Sequence, residues 1–181
     1  MSALIIISVH SDNVTIITIT PIMKRTVIDL PACWETLKNP VLKTEGKKRM
    51  VPITQTVLSN PEKGIIGNCQ YAAISSITEI PLKEFAGIEH LTGGKWFIPL
   101  VDILNKYNFE YMGTLNNKED ILNYKDGVDG YYVVCGGSPR GFKSGHAVVF
   151  HNGAMVHDPH PEGTGITDIT HALMIERNIG E

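Results

Sequence analysis

Three residues, in one order along the chain, could make a reactive centre. They are Cys69 in Gly67-Asn68-Cys69-Gln70-Tyr71, His146 in Gly145-His146-Ala147-Val148-Val149, and Asp158 in His157-Asp158-Pro159. A thiol, an imidazole and a carboxylate are the set by which a cysteine nucleophile carries out acyl transfer: the imidazole takes the thiol proton, and the carboxylate orients the imidazole and stabilises its charge. A thiol attacks as its thiolate, and the free N–H groups and dipole of a helix's first turn favour negative charge there. Residues 60–68 hold a Pro and two Gly, and Ala72, Ala73, Ile77 and Ile80 then recur at helical spacing, which predicts a loop followed by a helix beginning at Cys69. The Gly67-Asn68 step lets the chain approach closely, and the Cys69 N–H is left to face an oxyanion.

The base and the carboxylate must be brought together by strands. His146 opens the apolar run 146–150, after a loop edge where a base can reach solvent and substrate, and a second run occupies 154–158. His151-Asn152-Gly153 between them reads as a tight turn. A type I turn with Gly153 left-handed pairs Phe150 with Ala154 and therefore His146 with Asp158. The two would then share a face, with the carboxylate placed to accept the Nδ1–H of the imidazole. A two-residue Asn152-Gly153 turn instead shifts the register by one and sends the pair to opposite faces.

Around these residues the periodicity changes from helical to strand-like. Pro81 breaks the first helix and can begin a second over 82–91. Residues 96–107 predict a third with Pro99 in its first turn, and 117–124 a short fourth. After Gly130, strands are expected at 131–135, 146–150, 154–158 and, more weakly, 169–175. Helices first and an antiparallel sheet second define an α+β domain. Ahead of it, residues 14–22 alternate Thr with Ile and read as a strand at a sheet edge, and 31–49 as a connector with one short helix at 34–37. We therefore expect an N-terminal arm over residues 1–49 and a catalytic domain over 50–181.

These motifs resemble the papain-like cysteine peptidases. His146-Ala147-Val148 and the Gly153 turn are similar to the His-Ala-Val strand and following turn of that superfamily, and Gly67-Asn68-Cys69 with Tyr71 behind it to its Gly-x-Cys-aromatic element. The order Cys, His, carboxylate agrees. Asp158-Pro159 looks more like the bacteriocin-processing branch, whose third residue is Asp followed by Pro, than like papain, which uses Asn. Gly67-Asn68-Cys69 is also similar to the Asp-Gly-Asn-Cys of ovarian-tumour deubiquitinases, with Ile66 in place of that Asp. The likeness is greatest to small bacterial and phage papain-like proteins with a Gly-Asn-Cys helix, a Ser-Pro-Arg-Gly loop and an Asp-Pro-His-Pro strand end, and it covers 50 to about 165. It implies a papain-like fold, in which the nucleophile starts a helix packed on the sheet, and a Gln side chain that completes the oxyanion hole. Gln55 matches that Gln, at a longer spacing that requires an extra loop over 58–66. Asn68 is a second donor candidate that otherwise caps the helix.

The remaining features narrow the chemistry. The chain has 181 residues, 43% hydrophobic and 19% charged, which fills the core of one domain and argues against disorder. A net charge of -3 and a single short basic cluster at 43–49 give no footprint for nucleic acid. The initial apolar run is too short to span a membrane and lacks the basic flank of a signal peptide; with three scattered cysteines this predicts a cytoplasmic protein without a disulfide framework. His157 and Asp158 are adjacent on one strand and point apart, which argues against a zinc site. His160, between two prolines, reads as an exposed rim residue. In the loop 138–144, Arg140 is placed to bind a carboxylate or acidic side chain, whereas Ser138 and Ser144 sit in no nucleophile turn. The expectation is a cysteine peptidase that hydrolyses a peptide or isopeptide bond of a protein or peptide substrate through Cys69, His146 and Asp158, with neither metal nor organic cofactor. Acyl transfer to an amine or Gln deamidation on the same site, and a protein-binding module without catalysis, are the alternatives.

Overall fold

The β-branched residues at the amino terminus build a sheet of their own. In the computed structural model, which describes residues 5–10, 13–18, 49–141 and 145–178, the chain divides into two units, Met1–Glu45 and Gly46–Glu181. Ile5–His10 (β1) and Asn13–Thr18 (β2) pair antiparallel, Ile7 opposite Ile16, as a two-stranded sheet. The strand expected at 14–22 is therefore found as far as Thr18, and its partner is the initial apolar run rather than the edge of a larger sheet. Residues 19–22 and the helix expected at 34–37 lie outside the described residues, and the second unit begins at Gly46 where the sequence suggested Met50.

In the second unit, Cys69–Thr78 forms the first α-helix, α1. It is not an amphipathic surface helix, because every residue from Tyr71 to Thr78 is buried. Two of its polar members bond to the preceding turn: Ser76 Oγ donates to Ala72 O (2.8 Å) and Thr78 Oγ1 to Ile74 O (2.8 Å). Glu79, left-handed at φ 60°, closes the helix with its N–H on Ser75 O, and Pro81 follows. The helix expected at 82–91 shrinks to a 3₁₀ turn, Leu82–Phe85, because Gly87 takes φ 97° and turns the chain away. Phe97–Lys106 (α2) tolerates Pro99 in its first turn and buries Leu100 and Leu104, one turn apart.

Phe109–Leu115 (β3) is a strand that the sequence reading missed. It lies at the sheet edge, exposes Glu110 and is interrupted by a bulge beside Gly113, so its pattern is broken where alternation would have revealed it. Lys118–Asn123 (α3) is capped by Asn117 Oδ1, which accepts the N–H of Glu119 (2.8 Å). Tyr131–Gly137 (β4), Gly145–His151 (β5), Ala154–His157 (β6) and Ile169–Arg177 (β7) complete an antiparallel sheet in the order β3-β7-β4-β5-β6.

The sheet is covered on both faces. Val133, Cys135, Ala147, Val149, Leu173 and Ile175 pack in one cluster with buried residues of α1 and α2, and Tyr132, Val134, Val148, Phe150 and Ala172 pack in another with Ile121 of α3. Burial on both sides explains why β4 and β5 read as unbroken apolar runs. Each fully buried large side chain is worth roughly 1.5–3 kcal/mol, so both faces hold the central strands in place. The second unit is α+β, as the order of its elements implied. Among the described residues no helix is long and apolar enough to cross a membrane.

Candidate active site

The carboxyl end of the β5–β6 hairpin decides where Asp158 goes. Asn152 and Gly153 take φ 51° and 79°, the signature of a two-residue type I′ turn, so His151 pairs with Ala154 and Phe150 with Met155. The expected three-residue turn, with Phe150 opposite Ala154, does not form. Taken alone this would separate His146 from Asp158, but the register shifts again: Val149 pairs with His157, and Val156 is the extra residue of a β-bulge. The second shift adds to the first, and a total shift of two restores the face without restoring the expected pairing of His146 with Asp158. Val149 and His157 share one face, and Asp158, the next residue, turns to the face of Val148 and His146.

The pair closes at His146 Nε2–H, which donates to Asp158 Oδ1 at 2.7 Å; both side chains are 3% exposed. The bond expected from the sequence runs instead from Nδ1. Strand pairing fixes which residues meet and not which edge of the ring turns inward, and the nitrogen left for Cys69 is Nδ1. Asp158 is fixed further by the N–H of His160 on Oδ1 (2.8 Å) and of Gly165 on Oδ2 (2.7 Å). Burial opposes the charge of Asp158, yet the hydrogen bonds from His146, His160 and Gly165 hold its carboxyl below the ordinary value. Burial likewise works against a charged His146, but its hydrogen bonds to Asp158 and to the Cys69 sulfur push it up to about 9. The raised value favours the imidazolium form beside Cys69, which stands at the first position of α1.

Gln55 is brought to the same place by a segment with no periodicity of its own. Ile53 N–H donates to Ser76 Oγ of α1 (2.9 Å), Ile53 O accepts His157 Nε2–H (3.0 Å), and Gln55 N–H donates to Pro159 O (2.9 Å). The segment is thus laced between α1 and the end of β6. Gln55 is buried, its Nε2 donates to Val57 O (3.0 Å), and it lines a cavity of about 330 Å3 together with Cys69 and His146. Its Oε1 is buried without a partner among the described residues.

Asn68 neither caps α1 nor offers a free amide, contrary to both roles considered for it. It is 1% exposed; Oδ1 accepts the N–H groups of Thr56 (3.1 Å) and Val57 (3.0 Å), while Nδ2 donates to Thr56 Oγ1 (3.0 Å) and Glu89 Oε2 (3.1 Å). It clamps the chain next to Gln55. The only sequence signal for this was a polar residue placed directly before a buried helix.

Arg140 lines the same cavity and donates from Nη1 to Thr164 Oγ1 (2.5 Å). His160 is not a solvated rim residue: its side chain is 10% exposed and its ring meets that of His146 edge-on, centroids 6.1 Å apart. Burial and then the Arg140 guanidinium keep His160 below its ordinary value. His157 and Asp158 are engaged apart, on Ile53 O and on His146, and the His151 ring lies tilted against that of Tyr131, centroids 4.4 Å apart. Cys135 is buried, and burial followed by the nearby Cys69 charge pushes its thiol up to about 12. In comparisons with family models, curated proteins and solved structures, nothing matches this chain.

Proposed function

We propose that this chain is a papain-like cysteine hydrolase that cleaves a peptide or isopeptide bond. The observation that carries the reading is the run Asp158, His146, Cys69: a buried carboxylate 2.7 Å from an imidazole that lines one cavity with a thiol at the start of a helix. Packing of that helix against an antiparallel sheet is compatible with the papain-like resemblance of the motifs.

In the proposed mechanism His146 Nδ1 takes the proton of the Cys69 thiol, the resulting thiolate attacks the carbonyl carbon, and the carbonyl π electrons move onto oxygen. The Cys69 N–H and the second N–H of Gln55 Nε2 receive that oxyanion. Its collapse re-forms the carbonyl and expels the amine, which takes a proton from His146 and leaves a thioester on Cys69. Neutral His146 then removes a proton from water; the hydroxide adds to the thioester, and collapse releases the acid and the Cys69 thiolate with imidazolium restored. Asp158 stabilises that imidazolium throughout and keeps Nδ1 turned to the sulfur. Arg140 in the adjoining cavity is placed to receive a carboxylate of the substrate.

The test is the rate of iodoacetamide alkylation at Cys69, located by peptide mass, in the wild type and in His146→Ala. Rapid alkylation at neutral pH that collapses in the variant is expected, with Cys135 unmodified. Equal rates in the two proteins would overturn the proposal.

A further inference from the structure

Two cavities flank Cys69, and they differ in charge. The first, of about 330 Å3, carries Arg140 and His160. The second, of about 310 Å3, carries Glu89, with walls from Trp96, Leu91, Tyr71 and Ala147. Ile66, Gly67, Cys69, Gly145 and His146 line both, so an extended substrate lying across the thiol has a cavity on each side.

The chemistry of the second cavity is specific. Glu89 is held from behind by Asn68 Nδ2, which donates to Oε2; among the described residues Oε1 takes no hydrogen bond. Among the residues lining the cavity, His146 has its charge matched by Asp158, and burial keeps His171 below its ordinary value. Among the described residues that line it, Glu89 is thus a negative charge without a matching cation, beside the Trp96 side chain and apolar walls for a methylene stem.

We propose that this cavity is the subsite for a basic side chain of the substrate, an ammonium or guanidinium on an aliphatic stem, with Glu89 as the residue that selects it. The proposal rests on Cys69 being the nucleophile of the site. It narrows the substrate class to peptides with a Lys or Arg close to the bond that is cleaved.

The experiment compares the rates at which N-chloroacetyl-lysine amide and N-chloroacetyl-norleucine amide alkylate Cys69, each divided by its rate with glutathione. These probes carry the electrophile on a short arm, so the side chain can enter either cavity. A charge-assisted contact predicts about a tenfold preference for lysine in the wild type. The preference should fall to near unity in Glu89→Gln, whose amide oxygen can still accept from Asn68. The ratio within one protein cancels any change in the reactivity of the thiol itself. In the wild type alone, the preference should also shrink as salt is raised. Absence of the preference, its persistence in Glu89→Gln, or its indifference to salt would each overturn the proposal. Failure of the nucleophile reading is a separate outcome, recognised when iodoacetamide alkylation does not depend on His146, and the lysine to norleucine ratio still reports on the cavity in that case.

Discussion

His146 is the residue on which the proposed chemistry turns, and its charge has a consequence with a definite sign. Its value is raised from 6.5 to about 9, so the stability it contributes is fully present below about pH 6.5 and is lost as pH rises through 9. Asp158 has the opposite dependence: with its value lowered, its contribution is present above the ordinary carboxylate range and is lost as pH falls through the lowered value. Replacing Asp158 by Asn removes the negative partner and should move the titration of the His146 ring, followed by its imidazole C–H resonances, from near pH 9 to lower pH. An unmoved midpoint would show that Asp158 does not set the charge. The identities of Cys69, His146 and Asp158 were legible because their residue types are chemically restrictive. The ring nitrogen used, the burial of His160 and the clamp at Asn68 were not, since each depends on partners brought near by folding, as Glu89 is to Asn68 across 21 positions.

Among the elements, the segment 51–57 has the largest effect on the site for the least regular structure. It is fixed by side chains of α1 and by the end of β6, and Ser76 is its central tie, giving a hydrogen bond to Ala72 O and taking one from Ile53 N–H. Ser76→Ala leaves that N–H without its acceptor in a partly buried place, which should cost about 1–3 kcal/mol. Urea unfolding measures the loss; a midpoint equal to the wild type would mean that the tie contributes nothing. Helix α2 was legible because burial of one face imposes a helical period on its sequence, and β4 and β5 because burial on both faces makes them unbroken apolar runs. Segment 51–57 has neither pattern to read, and the helix expected at 82–91 failed at Gly87, where one residue's backbone outweighed the apolar spacing around it.

For the whole molecule, the division into two units makes a simple demand. Cys69, His146, Asp158, Gln55, Arg140 and Glu89 all belong to Gly46–Glu181, as do the hydrogen-bond partners found for them among the described residues. Residues 46–181 produced alone should therefore fold and alkylate at Cys69 at the same rate as the full chain. A slower rate would assign residues 1–45 a part in the site. The α+β class was legible from the order of helical and strand-like patterns. That the sheet carries core on both faces was written in the unbroken apolar runs of β4 and β5, which have no polar side to turn to water.

The hairpin between His146 and Asp158 is a counting device. Ala154, Met155 and Val156 are all exposed, and little in their chemistry holds the site together. Their number does, because the two-residue turn and the single bulge together make the count come out even, and evenness puts the carboxylate on the side of the imidazole. Along this stretch the protein is free to change its letters but not the length of the word.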